Sequence, residues 1–349
     1  MKKYLFLVSM AALTFTSCSD QTAEFVGDEV AAKQAREITF APLARPTTRG
    51  ANAILDATFP IDNSMEIACY QSAPSASNYF TKKTFAQDGS VWTGGANPQF
   101  WPLSDATLNF YAVSGYGVSA ADISIEDNLS KATVEYTSAK GYTNATQSDI
   151  MYAFNRGAVV QTDNNLTFNG GTTEDGSKVN MVFAHALSQI DFQLKANSDV
   201  EATGGSGAIT INSITLTGAK YTGTLTLTPS ASVSASTGAV TTTVAWTGDA
   251  AEDRTVPNVP STLTTTYAPA APSTACLMII PNATSAFTSF TINYTVNSHT
   301  YNYTYAPAST VAAAGYKYTF QINFRLHEIT VNPSVTPWTE SASGDINVL

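Results

Sequence analysis

The sequence is poor in the residues from which metal centres and most catalytic sites are built. Only three histidines (His185, His299, His327) and three cysteines (Cys18, Cys69, Cys276) occur in 349 residues. There is no His-x-x-x-His pair, no cysteine cluster and no Asp-rich calcium loop, so nothing supports a bound metal. A Gly-x-Ser-x-Gly nucleophile elbow is missing as well. Gly204-Gly205-Ser206-Gly207 is Gly-rich but lacks the spacing of a phosphate cradle and a helix after it. No cofactor is expected, and the chain does not read as an enzyme.

Charge is scarce too. Charged residues make up 13% of the chain, and the balance is acidic, with a formal net charge of −10. A nucleic-acid binder needs a basic stripe to displace counterions from phosphates, and none is present. Long apolar runs are also missing. The longest early one, residues 4–15, falls well short of the ~18–20 residues that span a bilayer. No stretch of ten or more residues carries a convincing helical period.

What remains is rich in Thr, Ser, Ala, Asn and Tyr, with 44% apolar residues and aromatics along the whole length. That mixture suits many short, half-buried strands with polar outer faces. It does not suit a disordered chain. The length allows two domains of ordinary size.

Residues 1–17 read as a secretory leader. Lys2 and Lys3 precede the apolar stretch, and Thr16-Ser17-Cys18 supplies small residues ending in cysteine. Polar Ser19-Asp20-Gln21 follows. This resembles the lipobox of bacterial lipoproteins, with Phe15 in place of the usual Leu three positions before Cys18. Several acyl chains on one residue would anchor the precursor stably, where a single chain binds only marginally. Cys69 and Cys276 lie far apart and read as two small buried thiols, although a disulfide is compatible with an oxidising compartment.

Residues 19–36 are polar and read as a tether. Glu37 to Leu43 alternates as a short strand, which Pro42 brings towards an edge. Ala44 to Gly50 (Ala-Arg-Pro-Thr-Thr-Arg-Gly) reads as an exposed loop. Strands are expected at residues 65–70, 107–113 and 131–137, with residues 91–102, containing Trp92, Phe100 and Trp101, as a structured loop packed on a sheet. The Gly-rich break at residues 170–176 is the clearest interruption, and the domain division is placed just after it, at 178/179. Beyond it, residues 190–194, 209–216 and 222–228 alternate cleanly. Cys276 to Ile280 is a continuous apolar run, as in a strand buried on both faces. Residues 290–296 and 300–305 flank Asn297-Ser298-His299 as a hairpin. Residues 316–326 form a long strand with Tyr316, Tyr318, Phe320, Ile322 and Phe324 on one face. Residues 229–275, rich in Ser, Thr, Ala and Pro, read as long connections. His185 reads as a structural histidine. Tyr301, Tyr303 and Tyr305 alternate on one face, either as cover for a sandwich or as a platform for stacking sugars.

The order of five elements resembles the fimbrillin superfamily of Bacteroides-type bacteria. They are the lipoprotein leader; the strand and Arg loop at residues 37–50; and Phe100-Trp101-Pro102-Leu103 leading into Leu108-Asn109-Phe110-Tyr111-Ala112. The fourth is Ser148-Asp149-Ile150-Met151-Tyr152-Ala153, followed by Val182-Phe183-Ala184-His185-Ala186-Leu187-Ser188-Gln189-Ile190. The last is the ending Ile329-Thr330-Val331 with Val335-Thr336-Pro337-Trp338.

The resemblance implies an all-β chain with two tandem transthyretin-like β-sandwich domains after a lipoprotein signal peptide. Signal peptide and tether occupy 1–17 and 18–36, the first sandwich 37–178 and the second 179–349, with a donor-strand tail. It further implies export to the outer membrane, lipid on Cys18, and a cut by an Arg-specific protease that removes residues 37–49. The matching bond is Arg49–Gly50, because Pro46 after Arg45 makes that site poor. Ile38, Phe40 and Leu43 would be the plugs of the removable strand. The groove left behind would accept a strand from the next subunit's C-terminal region by β-strand addition, with Ile329, Val331, Ile346 and Val348 as candidate donor residues. Partners would be other fimbrial subunits, including accessory or anchor proteins, in a surface fimbria with a role in adhesion. The rival reading is a cell-surface glycan-binding β-sandwich lipoprotein, which would need no removable strand.

Overall fold

In the computed structural model the described residues run from Glu37 to Asn347, except 45–63, 74, 89–90, 103–105, 117, 139–148, 161–165, 169–172, 175–177, 199–208, 234–238, 270–274, 326–328 and 338–345. Among them the chain is all-β, with two single-turn 3-10 segments, Ala120–Asp122 and Asp127–Leu129. The earlier strands are β1 (Thr39–Ala44), β2 (Ser64–Ala73), β3 (Ser77–Asp88), β4 (Val91–Thr93), β5 (Thr107–Tyr116), β6 (Ile123–Ile125), β7 (Ala132–Thr137), β8 (Asp149–Val160), β9 (Leu166–Phe168), β10 (Thr173–Glu174) and β11 (Lys178–His185). The later ones are β12 (Ser188–Ala196), β13 (Ile209–Ala219), β14 (Thr222–Val233), β15 (Val240–Gly248), β16 (Glu252–Thr255), β17 (Cys276–Ile279), β18 (Ser289–Val296), β19 (His299–Tyr305), β20 (Tyr316–Phe324), β21 (Ile329–Pro337) and β22 (Ile346–Asn347).

The first sheet runs β10-β9-β8-β11-β1-β4-β3-β2-β5, and β5 pairs with β8 as well. The sheet therefore closes on itself through β8, β11, β1, β4, β3, β2 and β5, and among the described residues only the β9-β10 branch ends in an open edge. Side chains alternate across β2, β5 and β8, so these three strands contribute to two cores. Met65, Ile67 and Cys69 of β2 and Leu108, Phe110 and Ala112 of β5 fill the ring. The intervening Ala68, Tyr111 and Val113 point to the other side, into a different core. That is why residues 107–113 read as nearly continuous apolar sequence rather than as clean alternation.

A β-sandwich forms the later part of the chain. The sheets β17-β12-β20-β21-β22 and β16-β13-β18-β19 enclose one core, in which Ile190, Phe192 and Leu194 meet Ile214, Leu216, Phe290 and Phe320. Asn297 and Ser298, both with positive φ, make the two-residue turn between β18 and β19, with Val296 opposite His299. The turn anticipated there is present, but His299 belongs to the strand.

A fourth sheet, β15-β14-β7-β6, joins the two parts of the chain. β14 pairs with β7 from Thr222–Thr137 to Leu227–Ala132. Beneath it, Val134 and Tyr136 pack with Leu225, Leu227, Met278 and Ile280 in the third core. At Gly223 the sheet is very tight: an added Cβ would stand 2.4 Å from the Thr247 carbonyl oxygen and 2.8 Å from Gly248 Cα. Gly223→Ala should push β15 off β14, lowering stability by about 1–3 kcal/mol. A reduced urea midpoint with an unchanged slope would record this.

Two expectations need correction. Sheet membership changes at Ala186-Leu187, between β11 and β12, and not after residue 178. The Gly-rich break marks a turn region, since β11 beyond it pairs with β1 and β8 in the first sheet. Residues 229–275 also hold more than connections. They include the end of β14, with β15 and β16. In β15 half-buried Val244 and Trp246 alternate with exposed Thr243, Ala245 and Thr247, a pattern diluted by small residues.

Candidate functional site

β1 is a short strand held from both sides. It runs parallel to β11 over six pairs, from Thr39–Lys178 to Ala44–Phe183, and meets β4 antiparallel at Phe40–Trp92. Just before it, the Ile38 amide donates to the Gln99 carbonyl at 2.6 Å, and Glu37 bridges to Phe100. Ile38 and Phe40, two residues apart, both have no solvent exposure. Period-2 alternation therefore drives both into the ring.

The seat of Phe40 is aromatic. Its ring meets Phe85 at 4.9 Å and Phe110 at 5.2 Å, both edge-to-face at 83°. Phe110 in turn packs against Trp101 at 6.0 Å. Edge-to-face pairs of this kind add roughly 0.5–1.5 kcal/mol beyond area burial. Leu43, the third expected plug, pairs with Val182 in the ladder; its side chain lies outside the described residues. Trp92, assigned from sequence to a loop, is a buried strand residue that closes the ring against β1. The lining contributed by β11 (Val179, Met181, Phe183) was not anticipated. Its alternation is visible in the sequence, but its pairing with β1, Thr39 opposite Lys178, is not.

Cys18, Arg49 and Gly50 lie outside the described residues. At the other end, Ile329 and Val331 sit in β21 opposite Phe324 and Ile322 of β20, half-buried against the core of the sandwich. Ile346 pairs with Val335 through the two-residue strand β22, and Val348 is outside the described residues.

The remaining candidates have structural settings. His185 Nδ1 lies 2.7 Å from Asp149 Oδ2, both side chains being buried where β11 meets β8. Cys69 and Cys276 are buried and not joined in a disulfide, and burial pushes the Cys69 thiol well up. Tyr303 and Tyr305 lean on the sandwich core, with Tyr305 5.3 Å from Phe290. Tyr301 is largely exposed and stacks on Tyr294 at 5.7 Å. The row thus covers a core more than it offers an open stacking surface. Among the described residues no group of three or more His, Cys, Asp and Glu side chains is placed to hold a metal ion. Nor is any helix there long and apolar enough to cross a membrane.

The profile of the fimbrillin-like family matches residues 52–338. The chain belongs to the fimbrillin-like family. Among solved structures, this fimbrillin-like chain is similar to a candidate cell adhesion protein from Bacteroides ovatus, at 12% identity and a TM-score of 0.51. That alignment covers 88% of this chain and 99% of the other, and shows a shared fold. A fimbrial protein from Bacteroides vulgatus aligns at 16% identity and a TM-score of 0.48, over 86% and 99% of the two chains. The tip fimbrial protein Mfa3 from Porphyromonas gingivalis, with a C-terminal truncation, aligns at 11% and 0.42, over 87% and 99%. No curated protein is similar enough in sequence to match. The fimbrillin-like match begins beyond β1 and the Arg loop and ends before β22.

Proposed function

We propose that this fimbrillin-like chain is a structural subunit of a surface fimbria, assembled when its own β1 is replaced by a strand from a neighbouring subunit. Family membership supports a fimbrial subunit that contacts other fimbrial subunits at the cell surface. The observation that carries the exchange mechanism is the position of β1. It completes a closed ring, yet its own ladder is only six residues long, and the Arg45 and Arg49 loop follows it directly.

Cleavage at Arg49–Gly50 would turn β1 from a tethered strand into a separate peptide. The hydrophobic groove between β11 and β4 would then accept another extended segment, with main-chain bonds supplying affinity and side-chain seats supplying register. Each buried plug is worth ~1.5–3 kcal/mol, and each main-chain bond ~0.5–1.5 kcal/mol net. Losing a whole inserted strand is slow, which would make the polymer kinetically persistent. Before the cut, acylated Cys18 would hold the precursor at the outer membrane. On the donor side, Ile346 and Val348 are better suited than Ile329 and Val331, because the latter pair sits in a nine-pair ladder over its own core, whereas Ile346 is held at the sheet's end by a ladder of two pairs.

The test uses precursor with Cys18 replaced, treated with an Arg-specific protease and run unheated in detergent. We expect a ladder of multimers that collapses on boiling, and no ladder for Arg49→Ala or for a chain lacking residues 346–349. A single trimmed band of unchanged mobility would defeat the exchange mechanism and favour a lipid-tethered glycan binder.

A further inference from the structure

We infer that the groove now filled by β1 prefers donor strands bearing an aromatic residue two positions after a branched aliphatic one, so that a second copy offering residues 346–349 enters it when alone but is displaced by a different subunit that carries that pair. This rests on the strand-exchange reading above and specifies the partner's chemistry.

Three observations set the requirement. The first is direction. β1 is parallel to β11 and antiparallel to β4, and the two ladder types place their hydrogen bonds differently, so a reversed strand would misalign with both neighbours. The second is register. The inward seats lie two residues apart, at Ile38 and Phe40, and the first is pinned by the Ile38 amide on the Gln99 carbonyl. The third is the shape of the second seat. Phe40 places its ring against the edges or faces of Phe85 and Phe110, which also contact Phe80 at 6.0 and 6.5 Å. These neighbours are themselves fully or almost fully buried and belong to paired strands, so they cannot collapse inward cheaply around a smaller plug.

The chain's own C-terminal segment does not meet this requirement. Ile329-x-Val331 and Ile346-x-Val348 both put valine where the phenyl ring sits. The one aromatic residue in 329–349 is Trp338, and Thr336 precedes it by two positions. A valine there would leave most of the ring's seat empty, and a void of that kind carries its own cost beyond the lost transfer energy. The groove and the tail of this chain are therefore mismatched at the deepest contact, which favours alternation with another subunit over a homopolymer.

The experiment uses the whole precursor with Cys18 replaced, cut in the loop after Ala44. It is then equilibrated with fluorescein-labelled peptides in competition with its own released strand. Four peptides are compared: residues 37–44, the same with Phe40→Ala, residues 343–349, and the same with Val348→Phe. The 37–44 peptide should bind about 100-fold or more tightly than its Phe40→Ala form. Val348→Phe should tighten the tail peptide at least about tenfold. Equal binding within either pair overturns the selectivity while leaving exchange intact. Failure of every peptide to enter, residues 37–44 included, would instead overturn strand exchange itself. Because the substitutions compared are all in the peptides and the protein is the same throughout, a folding defect cannot produce a difference within either pair.

Discussion

Replacing Phe40 by alanine should cost the uncut chain about 4 kcal/mol of folding stability. The ring has no solvent exposure, and it joins β1 to Phe85 and Phe110 by two edge-to-face contacts. Truncation removes both contacts as well as the transfer energy of a phenyl group. The surrounding ring cannot close over the space, because Phe85, Phe110 and Trp92 belong to three strands whose spacing is set by backbone pairing. Urea unfolding followed by tryptophan emission is the natural measurement, since Trp92 pairs directly with Phe40 and Trp101 lies in the same core. Val311→Ala, at a residue 41% exposed, should change stability by no more than about 0.5 kcal/mol and serves as the control. A loss below about 1 kcal/mol for Phe40→Ala would mean that β1 is not seated as described, and the groove would lose its claim to be the functional site. The substitution also separates folding from assembly: if β1 matters only as a removable cover, a cut Phe40→Ala chain should exchange faster than the parent, not slower.

How much of this could be read from the sequence depended on whether a strand keeps strict period 2 and whether its partner is near in the chain. β20 was legible because Phe320, Ile322 and Phe324 alternate without interruption and enter one core. β17 was legible as a run buried throughout. β3 was missed for the opposite reason. Its core residues Phe80 and Phe85 are five apart, and the β2–β3 register shifts at Ile67/Cys69 and Cys69/Tyr70, so no single alternation runs through it. β4 was missed because three residues are too few to show any period. For the site, Ile38 and Phe40 could be picked out locally, and the structure places both in a hydrophobic groove. The parallel partner β11 could not, because parallel pairing across so long a separation leaves no local sequence mark. β12 shows a subtler limit. Its alternation of Ile190, Phe192 and Leu194 with Gln189, Asp191 and Gln193 suggests one dry and one wet face, yet both faces are buried. The polar face is paired in part, with Gln189 Nε2 donating to Asp191 and Gln321 Nε2 donating to Gln193, while Gln189 Oε1 accepts no hydrogen bond from the described residues.

That polar face supports the second large effect, which is expected from Lys317→Met. Asp191 is completely buried, and its Oδ2 lies 2.8 Å from Lys317 Nζ on the neighbouring strand β20, while its Oδ1 accepts from Gln189 at 2.7 Å. Removing the ammonium leaves a buried carboxylate with only an amide for company. Breaking a buried pair in this way costs roughly 3–5 kcal/mol, and the lower end is expected because Lys317 retains some exposure. The dependence on pH identifies the cause. Burial pushes the Asp191 carboxyl up, and Lys317 pulls it part of the way back. The folded state thus binds this proton more tightly than the unfolded chain does, whose aspartates titrate near ~3.9. Stability from this group therefore falls as pH rises from about 4 through the raised folded value, and is level above it. Without Lys317 the folded value rises further, and the window extends upward with it. The penalty of Lys317→Met should accordingly be greatest at neutral and alkaline pH and shrink towards pH 4, where the carboxyl is protonated with or without its partner. Urea midpoints of parent and variant across pH 4–8 measure this directly. A penalty that stays constant over that range would assign the loss to the packing of the lysine stem and not to the stranded charge.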